Sequence, residues 1–191
     1  MLKSILSILI TFALIVLFTF GIYKGIEYLD YKSSISNLEK YTFSSNEKIV
    51  KSFKYNKYNY LLTMYYDDKS SWSHLNLLLL DNEEYYLLKN IQKCDSSVEG
   101  RNLYLKDNEI YIHCIGKMGD IDKYILDKIN VKKETFKFNY DNASNISQLH
   151  IDIDKVDEDY IYLYSFTIDS SKKDGEKVKC SLKNNICEYY Q

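Results

Sequence analysis

The sequence predicts a mainly β protein: one N-terminal transmembrane helix followed by antiparallel β-meander repeats. The run Ser4–Tyr23 contains no charged side chain. From about residue 48 onward, short runs alternate apolar and polar residues, as half-buried strands do. The same part of the chain resembles itself with a period of 50 residues, which indicates repeats. We therefore divide the chain into an N-terminal tail, a transmembrane helix, a helical stalk or linker, and a β-rich extracytoplasmic domain with three repeats of about 50 residues: 1–3, 4–23, 24–47 and 48–191.

The uncharged N-terminal run has the length of a membrane-spanning helix. Twenty residues at about 1.5 Å each reach about 30 Å, the thickness of the hydrocarbon core of a bilayer. A cleaved signal peptide is the alternative, but its apolar part is usually only about 7–15 residues long and ends at small residues. The residues that close this run, Phe18 to Tyr23, are bulky. We therefore expect an uncleaved single-pass anchor in the cell membrane.

The charges beside the anchor do not fix its orientation. Lys3 lies before the run, and Lys24, Lys32 and Lys40 follow it, so the positive-inside rule does not decide between the two orientations. The very short N-terminal tail and an even number of cysteines favour a C-terminal domain outside the cytoplasm. Beyond the anchor, Ile26, Leu29 and Ile35 recur at roughly helical spacing. They predict a stalk that continues the helix, or alternatively a helix that binds a partner.

Three segments one period apart carry the repeat. Tyr60–Met64, Ile110–Cys114 and Tyr160–Tyr164 each follow a polar residue. In a strand, alternate side chains share a face. We accordingly expect positions 60, 62 and 64 to share a face, and likewise 110, 112 and 114, and 160, 162 and 164.

Further strands flank each of these segments. Those predicted upstream are Ile49–Phe53, Leu103–Leu105 and Leu149–Ile153. Those predicted downstream are Leu75–Leu80, Tyr124–Ile129 and Val178–Leu182, followed by Tyr85–Leu88, Thr135–Tyr140 and Ile186–Tyr190. Asp81-Asn82, Asp107-Asn108 and Lys183-Asn184-Asn185 separate strands with residues that suit tight turns.

Each unit is thus a meander of three or four antiparallel strands. Over about residues 48–190 the pattern resembles the blades of β-propellers, without a motif that marks any one propeller family. A closed ring normally has four to eight blades, so three units favour an open, partial propeller. A β-sandwich or barrel is the alternative. Exposed sheet edges in an open arrangement make self-association possible.

The four cysteines, Cys94, Cys114, Cys180 and Cys187, are disulfide candidates. Cys180 and Cys187 flank a predicted hairpin, and a two-residue loop would place them opposite each other across the strands. Cys94 and Cys114 would then pair by elimination. The alternative is four reduced, buried cysteines. The spacing of these residues does not suit a metal, and we predict neither a metal site nor a cofactor.

Four residues are candidates for contact with a ligand. Trp72, the only tryptophan, is expected in a loop before a strand, where it could contact a sugar or a partner. His150, Asp152 and Asp154 alternate and should share one face of a strand. A solvated strand face followed by a polar turn is the explanation that we favour for the second pattern.

The sequence contains no catalytic motif, and we do not expect an enzyme. It also lacks a basic run with aromatic residues, so we expect no nucleic-acid partner. An anchored β domain favours a binding or interaction module at the cell surface that recognises a protein or a glycan. An accessory subunit of a membrane complex is the alternative. An envelope hydrolase, which needs two suitably spaced acids in a cleft, is the weakest of the three.

Overall fold

The structure is a computed structural model of the 191-residue chain. It describes residues 2–67, 72–95, 102–113, 119–144, 146, 151–165 and 175–190. The chain forms two compact units, Met1–Glu39 and Lys40–Gln191.

The first unit contains one long helix, α1. It runs without interruption from Leu2 to Ser36, through 35 residues. No proline or charged residue interrupts its apolar part, and the side chains from Leu9 to Ile26 are all exposed. The helix is long and apolar enough to span a membrane. It also includes the first part of the segment predicted as a stalk, and ends at Ser36 rather than continuing to residue 47.

The second unit contains three separate antiparallel sheets of four strands each. In each sheet every strand pairs with its neighbours in the sequence. The strands of sheet 1 are β1 Lys48–Tyr55, β2 Tyr58–Asp67, β3 Trp72–Asp81 and β4 Glu84–Asp95. Those of sheet 2 are β5 Leu103–Lys106, β6 Glu109–His113, β7 Ile121–Asp127 and β8 Asn130–Phe136. Those of sheet 3 are β9 Ile151–Val156, β10 Tyr160–Ser165, β11 Glu176–Ser181 and β12 Cys187–Tyr189. A mainly β fold of antiparallel meanders is therefore confirmed.

The tight turns show where local sequence signals suffice. Asp107-Asn108 joins β5 to β6, with Asp107 at a φ of 52°. Asn82-Glu83 joins β3 to β4, and both residues have positive φ. Asparagine and aspartate tolerate this left-handed region, as predicted. The turn predicted at Asp81-Asn82 lies one residue later than predicted and places Glu83 at a φ of 67°.

Several predicted strands are wrong in their bounds. The strand predicted at 85–88 extends to Asp95. The β7–β8 turn consists of Lys128-Ile129, so the strand predicted at 124–129 ends two residues early. The strand predicted at 135–140 ends at Phe136, because the chain then turns to sheet 3. There the Asn139 amide donates to the Asn185 carbonyl at 2.7 Å, and the Cys187 amide donates to the Asn139 carbonyl at 2.9 Å.

The strand β6 of sheet 2 is buried on both faces. Ile110 and Ile112 on one face of β6 and Tyr111 on the other are all nearly inaccessible. One face contributes to a core shared with sheet 3, in which Tyr111 and Ile121 pack with the inward-facing side chains of β9 to β12. Towards sheet 1, the Tyr60 hydroxyl donates to the carbonyl of Lys128 in the β7–β8 turn at 2.8 Å. Sheets 1 and 3 therefore each have one face turned away from sheet 2, which we call their outer faces.

Candidate functional site

The outer face of sheet 3 is the most distinctive surface among the described residues. Along β10, Ile161, Leu163 and Ser165 are buried, whereas Tyr160, Tyr162 and Tyr164 are only half-buried. Strict alternation of this kind is typical of a strand with one face on a core and one towards solvent. The alternation agrees with the sequence prediction. The corresponding strands of the other sheets, β2 and β6, are instead buried on both faces, since Tyr60, Leu62, Ile110 and Ile112 are also fully buried.

We call Tyr160, Tyr162, Tyr164 and Tyr190 the tyrosine face. The ring centroids of Tyr160 and Tyr162 lie 6.3 Å apart, and those of Tyr162 and Tyr190 lie 5.2 Å apart at nearly a right angle. Edge-to-face and tilted pairs at these separations attract one another and restrict ring motion. The sheet therefore presents a row of ordered aromatic rings.

Charged side chains surround these rings. The Lys155 ammonium lies 5.2 Å from the centre of the Tyr162 ring, and the Lys179 ammonium lies 5.2 Å from that of Tyr160. Both distances suit cation–π attraction. Lys179 also forms a 3.0 Å ion pair with the exposed carboxylate of Glu188. The face thus combines apolar rings with hydrogen-bond donors and acceptors of both charges.

The Asp157 carboxylate forms several hydrogen bonds at one end of the tyrosine face. Its carboxylate accepts hydrogen bonds from the amides of Tyr160 at 2.8 Å and Asp159 at 2.9 Å, and these bonds lower its pKa. A hydrogen bond with the same carboxylate raises the pKa of the Tyr162 phenol. Tyr162 therefore stays a neutral hydrogen-bond donor over the physiological pH range.

Two of the predicted contact residues belong to the same sheet. Asp152 on β9 is paired with Tyr164 of β10. The register shifts opposite Tyr162 and Leu163, so that Asp154 is an extra residue in a β-bulge. Its side chain is exposed. His150 lies outside the described residues, so the predicted alignment of all three on one face stays a prediction.

Trp72 lies in a different sheet from the tyrosine face. It is the first residue of β3 and pairs with Asp67, so its predicted place in a loop is wrong. It belongs to sheet 1 and therefore has no part in the tyrosine face. Its side chain is not among those described.

The cysteines lie at two places. Cys180 and Cys187 are directly opposite each other on β11 and β12, are fully buried and form a disulfide. The hairpin loop between them is longer than the two residues predicted, because the Ser181 amide bonds to the carbonyl of Ile186. Cys94 is in β4, but its side chain and all of Cys114 lie outside the described part. Their predicted pairing stays a prediction.

The outer face of sheet 1 is covered by residues 40–47, which we call the cap segment. The segment is attached to β4, where Lys40 forms a bridge with Tyr86 and the Tyr41 amide donates to the Tyr85 carbonyl at 2.8 Å. It then places the Glu47 carboxylate over two buried polar residues, Thr63 and Asn76, which are cross-strand neighbours on β2 and β3.

Glu47 collects several hydrogen bonds. Its carboxylate accepts from the Thr63 hydroxyl, from the Tyr41 hydroxyl at 2.8 Å and from the Ser44 amide at 3.2 Å. The Asn76 amide donates to the Tyr41 oxygen at 2.6 Å. Burial by itself raises the pKa of Glu47, but these hydrogen bonds together outweigh it and hold the pKa below its ordinary value. Sequence reasoning missed this cluster, although Thr63 and Asn76 are polar residues inside apolar runs.

The Glu47 cluster holds one carboxylate rather than the pair that glycoside hydrolysis needs. In the described part of the chain, a cavity of about 310 Å³ between β1 and β5 is lined by Val50, Lys51 and the 103–105 segment, none of which is an acid. Among the described residues, no group of three or more His, Cys, Asp or Glu side chains could hold a metal ion.

No protein-family model, curated protein sequence or solved structure matches this chain.

Proposed function

We propose that the protein is a membrane-anchored binding module whose ligand contacts the tyrosine face of sheet 3. One observation carries the proposal: three half-buried tyrosines alternate along β10 with residues of the core. Buried neighbours hold each ring in place, so a ligand finds a preorganised surface and little conformational entropy is lost on binding.

The chemistry of the face favours a glycan as ligand. Tyrosine offers a flat apolar ring with a hydroxyl at its rim. A sugar ring has the complementary character, with a patch of C–H groups and hydroxyls around it. Lys155, Asp152 and Glu188 add donors and acceptors beside the rings.

Retention on an insoluble polysaccharide tests the ligand surface. The full chain in detergent is passed over neutral polysaccharides from the envelope of its own source, and bound protein is quantified. We expect Tyr162→Ala to reduce retention strongly. The control is Tyr66→Ala, which changes an exposed tyrosine of sheet 1 and should leave retention unchanged. Equal retention of both variants and the parent would remove the tyrosine face from the proposal, and retention on a protein partner alone would replace the glycan.

We also propose that α1 anchors the domain on the outer side of the cell membrane. The length and apolar surface of the helix support the anchor, and the Cys180–Cys187 disulfide supports an oxidising compartment. Thiol labelling of intact cells with a membrane-impermeant reagent tests this. Labelling only after reduction is the expected result, whereas labelling that requires lysis would place the domain inside the cell.

The three sheets are, in our proposal, successive blade-like repeats of an open, partial propeller in the cell envelope. The segments that are similar at a period of 50 residues fall in β2, β6 and β10, the second strand of each sheet. The first strand of sheet 3 also contacts the first strand of sheet 2, as inner strands do around a propeller axis. A crystal structure with the first strands grouped on one axis is expected, and two sheets packed as a sandwich would contradict it.

An accessory subunit of a membrane complex is the second candidate. Ile26, Tyr28 and Leu29 of α1 follow the uncharged run and have exposed side chains, which a partner helix could cover. Replacing residues 4–23 and 24–36 in turn with unrelated helical sequences separates the two candidates. Glycan retention that survives both exchanges supports the module, and loss of a co-purifying membrane protein with the second exchange supports the subunit.

A further inference from the structure

The open edge of β1 is a second surface with a distinct chemistry. β1 is an edge strand of sheet 1 and pairs with β2 on one side only. No described strand pairs with its other side, so that edge presents backbone N–H and C=O groups in the spacing of a sheet. An extended chain could add to it as a further strand.

This edge is basic and not neutralised. β1 has the sequence KIVKSFKY, and Lys48, Lys51 and Lys54 are all exposed. None of these three lysines forms an ion pair within the described part of the chain. β8 is also an edge strand, but its lysines form ion pairs: Lys132 pairs with Glu134 at 2.7 Å, and Lys133 pairs with Asp122 at 3.0 Å.

A cavity lies beside the same edge. β1 contains a bulge at Val50, between the paired residues Ile49 and Lys51. Val50 and Lys51 line the cavity of about 310 Å³ together with Leu103, Tyr104 and Leu105 of β5. This volume is at the small end of ligand cavities, and its leucines suit one apolar side chain. Strand addition in general combines backbone bonds for affinity with such a cavity for specificity.

The lysines decide which chain can occupy the edge. A second copy of β1 would place lysines opposite lysines, and directly opposed like charges are unfavourable in a sheet. Lysine on an edge strand is indeed a common protection against self-pairing. An incoming strand with acidic residues is attracted by these lysines, whereas a second copy of β1 is repelled by them.

We propose that the edge of β1 binds an extended acidic segment of another protein by strand addition, with one apolar side chain of that segment in the cavity beside Val50. Lys48, Lys51 and Lys54 select the charge, and the backbone of β1 provides the hydrogen bonds. The surface is separate from the tyrosine face, and the inference does not rest on a glycan ligand.

Synthetic peptides test the inference against the full chain in detergent, with fluorescence anisotropy as the readout. The probe is an eight-residue peptide that alternates glutamate with valine around one leucine. The matched peptide has lysine in place of each glutamate. We expect the acidic peptide to bind, more weakly as ionic strength rises, and the basic peptide not to bind. The inference would be overturned if the two peptides bound equally well, or if neither peptide bound.

Charge-matched variants locate the site. Lys48→Glu, Lys51→Glu and Lys54→Glu together should weaken binding of the acidic peptide by about tenfold or more, because the attraction between the edge and the peptide becomes repulsion. The control, Lys89→Glu with Lys137→Glu and Lys177→Glu, changes the net charge equally at exposed positions elsewhere. If both triple variants lose binding equally, the effect belongs to net charge and the site is wrong.

N-methylated peptides separate strand addition from simple charge attraction. Methylation of alternate amides blocks the hydrogen bonds on one edge of the peptide and leaves its charge unchanged. We expect one of the two alternate sets to abolish binding and the other to be tolerated. Binding that tolerates both sets would show that no strand is added, and a lysine-dependent charge contact would replace the proposal.

Discussion

The outer faces of sheet 1 and sheet 3 have the same position in the fold, at the two ends of a three-sheet chain, but opposite surroundings. On sheet 1, Thr63 and Asn76 are buried beneath the cap segment, where Glu47 binds them. On sheet 3, Tyr160, Tyr162 and Tyr164 remain half-exposed beside lysines. Among the described residues, the cap segment thus covers Thr63 and Asn76 of sheet 1, whereas the tyrosines of sheet 3 stay half-exposed.

The two sheets also differ in the interactions that stabilise them. The cap segment holds sheet 1 through hydrogen bonds to one carboxylate, whereas the last hairpin of sheet 3 is closed by a buried disulfide. A hydrogen-bonded cap depends on the protonation of Glu47. A disulfide depends on redox conditions. The two faces should therefore respond differently to substitution, reduction and pH.

The largest effect is expected on the inner side of sheet 3. Leu163→Ala empties a fully buried position and should lower the free energy of unfolding by about 2–5 kcal/mol. Tyr162→Ala, one residue earlier on the outer face, should cost much less. Urea unfolding of the full chain in detergent measures both. Similar losses for the two variants would mean that the outer face is packed rather than open.

Reduction of the Cys180–Cys187 disulfide should follow in size. The cysteines are separated by seven positions in the sequence, and closing so short a loop stabilises the fold by about 2.5 kcal/mol in the chain-entropy relation. The expected result is a lower urea midpoint for Cys180→Ala with Cys187→Ala than for the oxidised parent. A reductant should shift the parent but not the double variant, unless another disulfide contributes.

A smaller loss is expected at the cap segment. Glu47→Ala removes the acceptor for Thr63 and Tyr41, and bonds to a charged group contribute about 1.5–3 kcal/mol each when well shielded. Because Glu47 is partly exposed to solvent, we expect a total of only about 2 kcal/mol. Glu188→Ala is the matched change on sheet 3, where the carboxylate forms one exposed ion pair. It should leave the unfolding free energy close to that of the parent, and equal losses would contradict the comparison.

The smallest effect is a pH dependence. The folded pKa of Glu47 lies below its ordinary value, so its contribution is fully present above the ordinary glutamate pKa, about 4.3. It is lost as pH falls through the lowered folded value. The melting temperature of the parent should therefore drop more steeply below about pH 4.3 than that of Glu47→Gln. Parallel curves for the two proteins would show that Glu47 does not carry this dependence.

The strands can be predicted from the sequence where residues close in the sequence determine them. The site cannot be predicted in this way, because residues far apart in the sequence determine it. The alternation in β10 and the Asp107-Asn108 turn are local signals, and both are read correctly from the sequence. The Lys128-Ile129 turn is not, since lysine is an unusual residue at a φ of 56°. Its carbonyl is held by Tyr60, 68 residues earlier in the sequence.

The cap segment escapes sequence prediction for the same reason. The residues of sheet 1 that Glu47 contacts, Thr63 and Asn76, lie 16 and 29 residues away in the sequence, and no local pattern links them to it. The tyrosines of β10 are visible as an alternating row, but which side of the strand faces solvent depends on the packing of sheet 2 against sheet 3. The sequence alone therefore predicts the sheets and leaves the open face unassigned.

Hydroxyl-radical footprinting tests most directly that the tyrosine face is the surface on which a ligand binds. The full chain is labelled once after purification and once in intact cells, and modified residues are located by mass spectrometry. We predict that Tyr160 and Tyr162 are modified in the purified protein and protected in cells, while the exposed Tyr66 of sheet 1 is modified equally in both. Equal modification of Tyr160 and Tyr162 in the two samples would contradict the account, because the open face of sheet 3 would then have no ligand where the protein works.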